Sequence, residues 1–162
     1  YEKDKKYWED RVETFADAPD LPLAKNESQI TEQRFCRRSA KLSQKEWQSV
    51  KDAAGRLEVT PSVLLMSAYA ETLRLWSSNK DFTLNLTQFD RKQLHPEVNN
   101  LVGDFTTLTL LEIKNAGNNF AERTKAIQKQ LTEDLEHTAY GAVELERELK
   151  KRLEICGALL CR

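Results

Sequence analysis

The sequence has 162 residues, the size of one ordinary domain, and 40% of them are hydrophobic, enough for a core. Another 31% are charged and the mean hydropathy is -0.66, so the surface is well solvated. The 25 Lys and Arg against 26 Asp and Glu leave a net charge of -1, which excludes a global field for drawing in nucleic acid or acidic lipid. No apolar run approaches the roughly 20 residues of a membrane helix. The charged start, Tyr1 to Lys6, has no apolar stretch behind it, so no signal peptide is expected. Three cysteines, odd in number and widely spread, do not form a secreted disulfide framework. The expectation is a soluble, cytoplasmic globular domain without nucleic-acid or membrane partners.

No internal repeat of 20–50 residues is present, which argues against a solenoid. Two prolines, Pro19 and Pro22, mark Ala16–Leu23 as an extended surface segment, and Lys25–Ser28 reads as a loop, so residues 1–28 are expected to be linker of extended chain. Residues 31–42 read as a strand with Phe35, Cys36 and Leu42 as its apolar members. Ser43 with Glu46 three residues later is a capping-box start, and Trp47, Val50, Ala54 and Leu57 recur at helical spacing over 44–57. Thr60–Pro61 opens the next helix, with a hydroxyl cap and proline in the first turn. Leu65, Tyr69, Leu73 and Trp76 line one face of it. Val63, Leu64, Met66 and Leu75 widen the apolar surface, so this helix is expected to be buried on most sides and packed on the sheet.

Phe82, Leu84 and Leu86 alternate with Thr83, Asn85 and Thr87, the pattern of a strand over 81–88. A polar loop, 89–100, carries His95–Pro96. Phe105–Ile113 is apolar on both faces through Leu108, Leu110, Leu111 and Ile113, which suits an interior strand. Phe120, Thr124, Ile127 and Leu131 predict a helix over 119–136. Ala142, Leu145, Leu149 and Leu153 predict another over 141–153. Three strands and four helices in mixed order make an α+β arrangement with a mixed sheet flanked by helices.

Few side chains suggest chemistry by pattern. Cys156 and Cys161 are too widely spaced for a zinc pair, and Cys36, His95 and His137 come from distant segments, so no metal site is expected. Cys36, in a strand, reads as a small packed residue, and His137, near a helix end, as a dipole partner. Arg37–Arg38 and Lys150–Arg152 read as solvated faces. No Gly-rich phosphate loop exists. Leu101–Leu108 is the unusual segment, with Gly103–Asp104 directly before an apolar strand. It fits a turn, with the aspartate making a local hydrogen bond. The turn chemistry explains the pattern better, but the segment also fits a carboxylate and hydroxyls at the mouth of a strand facing a cleft, and by alternation Thr106 shares the side on which Asp104 projects.

The same segment carries a family resemblance. Gly103, Asp104, Phe105, Thr106, Leu108, Leu110 and Leu111 fit GDFTxLxLL, a motif of the heterocyclization domains of nonribosomal peptide synthetases. Thr60, Pro61, Leu65, Leu73, Trp76 and Ser77 meet TPxxxLxxxxxxVLxxWS, with Thr72 where valine is usual. Pro19–Leu23 resembles the end of LPxxPxLPL, whose opening Leu-Pro is replaced by Phe15–Ala16. The matches come in family order, and the resemblance covers roughly residues 7–150.

The resemblance implies a two-lobed fold similar to chloramphenicol acetyltransferase, of which 29–153 would be a portion of the second lobe. It implies an activity in which a carrier-bound acyl or peptidyl donor is condensed with Cys, Ser or Thr on a second carrier. The side chain then closes onto the new carbonyl and water is lost, giving a thiazoline or oxazoline. The implied partners are peptidyl and acyl carrier proteins, the first lobe and adjacent synthetase domains. Phosphopantetheine would reside on the carriers, with no cofactor bound by this chain. Asp104 and Thr106 would stand in the wall of the substrate cleft.

The family's first-lobe DxxxxDxxS is missing from the sequence, and so are PVVFTS and the QTPQVxLDxQ-like segment, whose Thr and Asp are the family's candidates for dehydration. Residues 154–162 do not resemble the family and read as a frameshifted, artificially cut or divergent end. The isolated fragment is therefore expected to hold no complete catalytic set, to be inactive, and to self-associate through surface its partner lobe would cover. Two other readings stay open. One is an ordinary amide-forming condensation domain, although these usually carry a GxFxNT-like segment at the GDFT position. The other is a carrier-docking module without chemistry of its own.

Overall fold

A computed structural model describes residues 1–25, 27–32 and 34–155. In chain order the regular elements are α1 (Glu2–Glu9), α2 (Gln44–Leu57), α3 (Pro61–Trp76), β1 (Phe82–Phe89), β2 (Thr106–Ile113), α4 (Phe120–Leu135) and α5 (Ala142–Ile155). The chain forms two compact units. One holds Tyr1–Ala18, Asp81–Ile113 and the chain from Lys129; the other holds Pro19–Lys80 and Lys114–Gln128.

In the first unit, β1 and β2 form a two-stranded antiparallel sheet whose register runs without a bulge from Phe82 opposite Ile113 to Phe89 opposite Thr106. Side chains alternate across the pleat. Phe82 and Leu84 therefore share a face with Leu111 and Ile113, and Phe82, Leu111 and Ile113 are fully buried. At roughly 1.5–3 kcal/mol for each large apolar side chain, these three anchor the hairpin. The opposite face carries Leu110 and Leu108. Against Leu110 pack Trp8, Val12 and Phe15 from the N-terminal segment, and Tyr140, Ala142 and Leu145 from the start of α5. The Trp8 indole donates to the His137 carbonyl at 2.9 Å, so the ring is buried with its one polar atom satisfied.

In the second unit, α2 starts on the expected capping box: the Ser43 hydroxyl accepts from Glu46 N–H at 3.3 Å, and the Glu46 carboxylate accepts from Ser43 N–H at 2.7 Å. It ends at Glu58, which adopts the left-handed conformation (φ 58°, ψ 38°) that usually selects glycine. The Thr60 hydroxyl caps α3 by accepting from Val63 N–H at 3.3 Å, with Pro61 in the first turn where no donor is lost. Arg123 of α4 donates to both carboxylate oxygens of Glu71 on α3, at 2.8 and 2.9 Å.

Several expectations need correction. Residues 31–42 form no strand among those described: Phe35, Cys36, Ala40 and Leu42 are too few and too scattered among charged residues to make an apolar face, Phe35 is 95% exposed and Cys36 is exposed rather than packed. The first fifteen residues are not linker: α1 and a 3-10 turn at Val12–Thr14 bury Trp8, Val12 and Phe15, while the chain from Ala16 to Leu23 is free of helix and strand as expected. Helix α3 is not buried on most sides. It buries the narrow stripe Val63, Ser67 and Ala70, leaving Leu65, Tyr69, Leu75 and Trp76 exposed, Trp76 at 67%. Its small residues permit close approach and its large ones project away. The sheet has two antiparallel strands rather than a mixed set of three, among the described residues. Strand β2 has one strand neighbour, yet both of its faces are buried from Thr109 to Ile113. Cys156, Cys161 and the tail beyond Ile155 lie outside the described residues.

Candidate functional site at the hairpin mouth

The connection from β1 to β2, residues 90–105, opens where the Gly103–Thr106 segment begins β2. Asp90 N–H donates to the Phe105 carbonyl at 2.9 Å and extends the ladder one step past the last strand pair. Asp104 then turns its carboxylate onto the strand it precedes, accepting from Thr106 N–H at 2.8 Å. Hydrogen bonds from the Thr106 hydroxyl and then its backbone hold the Asp104 carboxyl below the ordinary aspartate range. Both residues are exposed. A carboxylate kept ionised near neutrality is a poor general acid; it can accept hydrogen bonds and present negative charge. Thr106 pairs with Phe89 on the sheet face that Leu108 and Leu110 continue.

Phe105 lies between the two site residues. Its ring meets that of Phe89 with centroids 5.9 Å apart in an edge-on arrangement. The Arg91 guanidinium sits 3.9 Å from the Phe105 centroid and 5.5 Å from that of Phe89. One of its nitrogens donates to the carbonyls of Val98 and Leu101, at 2.8 and 3.0 Å.

The other motif residues lie in the second unit and punctuate α3. Thr60 caps it, Pro61 opens it, Trp76 ends it exposed, and Ser77 is its buried C-cap, with its N–H donating to the Leu73 carbonyl at 2.8 Å. His95 uses Nδ1 to accept from Glu97 N–H at 3.2 Å. Arg152 departs from a solvated face: it is half-buried and donates to the carbonyls of Val12 and Phe15 at 2.6 and 3.3 Å. Among the described residues, no group of three or more His, Cys, Asp and Glu is placed to hold a metal ion. No described helix is long and apolar enough to cross a membrane.

Sequence reading missed a buried polar cluster in the first unit. Arg11 donates to Asp134 at 2.6 Å and to Glu112 at 2.6 Å, with both carboxylates inaccessible to solvent. Tyr7 and Gln130 each donate to the same Asp134 oxygen at 2.8 Å. Glu112 also accepts from Ala16 N–H at 3.1 Å. Burial, then the hydrogen bond to Asp134, pushes the Tyr7 hydroxyl up to about 12. Burial opposes the Arg11 charge, but the bond to Glu112 and the charge of Asp134 outweigh it, so its pKa rises. His137 stacks on Tyr7 at 4.1 Å and places Nδ1 3.2 Å from the Asp4 carboxylate, a fixed packing position rather than a free helix-end partner. One signal was available: Asp134 follows Ile127 and Leu131 at helical spacing, so a carboxylate falls on the apolar stripe of α4.

The family model of the Condensation domain matches residues 1–155. The chain belongs to that family. Bacitracin synthase 1 of Bacillus licheniformis is 37% identical over 154 residues, which is 94% of this condensation-family chain and 3% of that protein. Pyochelin synthetase PchF of Pseudomonas aeruginosa is 36% identical over 154 residues, again 94% of this chain and 8% of that protein. Among solved structures, the EpoB cyclization-docking bidomain of Sorangium cellulosum is 36% identical with a TM-score of 0.83, covering 98% of this chain and 32% of that one. The chain thus spans a small part of each relative. Its α+β fold is that of part of a condensation domain, the chloramphenicol-acetyltransferase-like architecture expected from the motifs.

Proposed function

We propose that the chain is a second-lobe portion, over 29–153, of a heterocyclization domain in a nonribosomal peptide synthetase. In that setting a carrier-bound acyl or peptidyl group is condensed with Cys, Ser or Thr on a second carrier, and the amide is cyclodehydrated to a thiazoline or oxazoline. The observation that carries this reading is the Gly103–Asp104–Phe105–Thr106 segment placed at the mouth of the hairpin, with the Asp104 carboxylate locked onto Thr106. The 36% identity to a bidomain named for cyclization supports it.

Asp104 and Thr106 act here as cleft wall, not as the acid and base of dehydration. Both are exposed, and Asp104 is held ionised. Ring closure needs acid and base groups held around one carbonyl, so this portion by itself is inactive and relies on the other lobe. Carrier proteins with their phosphopantetheine arms, the first lobe and neighbouring synthetase domains are the partners in this reading.

The test is a complete two-lobed domain containing this chain, supplied with a donor-loaded carrier and a carrier loaded with Cys, Ser or Thr. Product mass separates the outcomes. An amide that has lost one further water supports cyclisation; an intact amide alone makes the domain an ordinary condensation domain; no product with retained carrier binding leaves a docking module. In the same assay Asp104→Asn lowers ring formation modestly and leaves the fold intact. Unchanged turnover with a lowered melting temperature reduces Asp104 to a turn residue.

A further inference from the structure

The connection that carries Asp104 is long for a hairpin. Ordinary hairpin loops have about two to five residues; here the strands separate after Phe89 and rejoin at Thr106. Burial does not hold it in place. Leu94, Leu101 and Val102 are exposed, at 86%, 58% and 104%, and Val98 is the buried apolar side chain of the loop. The regular structure within it is a single 3-10 turn at Val98–Asn100. A segment so poor in buried contacts opens locally at low cost unless something else fixes it.

Arg91 supplies that constraint. Its guanidinium bonds the carbonyls of Val98 and Leu101 and lies against the rings of Phe105 and Phe89. Leu101 and Phe105 bracket Val102, Gly103 and Asp104, so one planar group holds both ends of the segment that presents the carboxylate. A guanidinium can donate in its plane while stacking through its face, which an ammonium cannot do. The Arg91 side chain is half-buried, so these contacts are partly shielded from solvent. We propose that Arg91 is a positioning residue for the Asp104–Thr106 site, a clamp that sets where the carboxylate and hydroxyl stand in the cleft wall. This rests on the cyclisation reading above for its functional consequence, and on loop geometry alone for its structural one.

Arg91→Lys and Arg91→Met test the clamp in two measurements. The first is amide hydrogen exchange in the 162-residue chain. Exchange of the Leu101 and Thr106 amides should accelerate about tenfold or more in Arg91→Met, the scale of one lost charge-assisted hydrogen bond, and Arg91→Lys should restore little of it. Leu110 and Leu111 amides in the strand should be unchanged, which reports that the unit still folds. Unaltered exchange at Leu101 and Thr106 overturns the proposal. The second is the ratio of ring to open amide released by the complete two-lobed domain, a quantity independent of how much protein is folded. Arg91→Lys should shift it toward open amide. Faster exchange with an unshifted ratio also overturns the positioning role and leaves a loop brace. If the unaltered domain releases open amide alone, the cyclisation reading fails separately, and the exchange rates then decide the clamp.

Discussion

Replacing Arg11 with methionine should cost the first unit a large share of its stability. The substitution keeps an unbranched stem against Trp8 and Phe15, whose rings the guanidinium approaches at 4.9 and 5.2 Å. It removes the cation facing two carboxylates whose side chains are 0% and 1% exposed, Asp134 and Glu112. Asp134 keeps Tyr7 and Gln130 as donors, and Glu112 keeps the Ala16 N–H, but both lose the Arg11 cation they face at 2.6 Å. Removing one partner of a buried ion pair costs about 3–5 kcal/mol, because the remaining charge stays desolvated. Against a typical total of about 5–15 kcal/mol, that is enough to populate unfolded chain. Urea titration at pH 7 measures it. The loss should persist in high salt, since buried pairs are screened little. Adding Glu112→Gln and Asp134→Asn to Arg11→Met should recover part of the loss by removing the two buried charges that Arg11 faces. A loss below about 1 kcal/mol would match an exposed ion pair and refute the argument.

Other outcomes are expected from the same geometry. Ser43→Ala removes the hydroxyl half of the α2 capping box, keeping the backbone N–H to Glu46, and should lower stability by about 1 kcal/mol in denaturant titration, with Ser43→Gly milder. The Tyr7 hydroxyl, raised from 10.0 to about 12, favours the folded state while neutral; stability should therefore fall as pH rises from the ordinary tyrosine range through about 12, and Tyr7→Phe should flatten that alkaline limb in pH-dependent melting. The exposed Leu75 and Trp76, at 83% and 67%, should drive concentration-dependent association, and Leu75→Lys with Trp76→Gln should weaken it in sedimentation; a single monomeric species at all concentrations, without dye binding, would count against this.

Local chemistry was legible in the sequence. The caps at Ser43 and Thr60 and the alternation from Phe82 to Leu86 involve partners within a few residues, and the structure places α2, α3 and β1 within a residue of the expected bounds. Where sequence pattern failed, the outcome depended on distant partners. Apolar periodicity reports that a face can be buried, not that chain is available to bury it. Helix α3 has two such faces, and the pattern favoured the larger side chains while the structure buries the smaller. Residues 31–42 have modest strand propensity and form no strand among those described, and propensity alone does not form a ladder.

The candidate site divides along the same line. Gly103–Asp104 before a strand announces a local hydrogen bond, and Asp104 makes one two residues ahead. Arg91 announces nothing, because its four contacts at Phe89, Val98, Leu101 and Phe105 depend on the fold of the whole connection. Arg11 lies further still from inference, since Glu112 and Asp134 are 101 and 123 residues away. Asp104 and Thr106 are legible in the string because their hydrogen bond spans two residues, whereas Leu110 of the same motif packs on Trp8, Phe15 and Leu145 from distant segments. The side chains that hold them in place are set by tertiary geometry. For that reason the motif points to Asp104 and Thr106 from sequence, while the Arg91 contacts on which the proposed clamp rests become visible when the strands are paired.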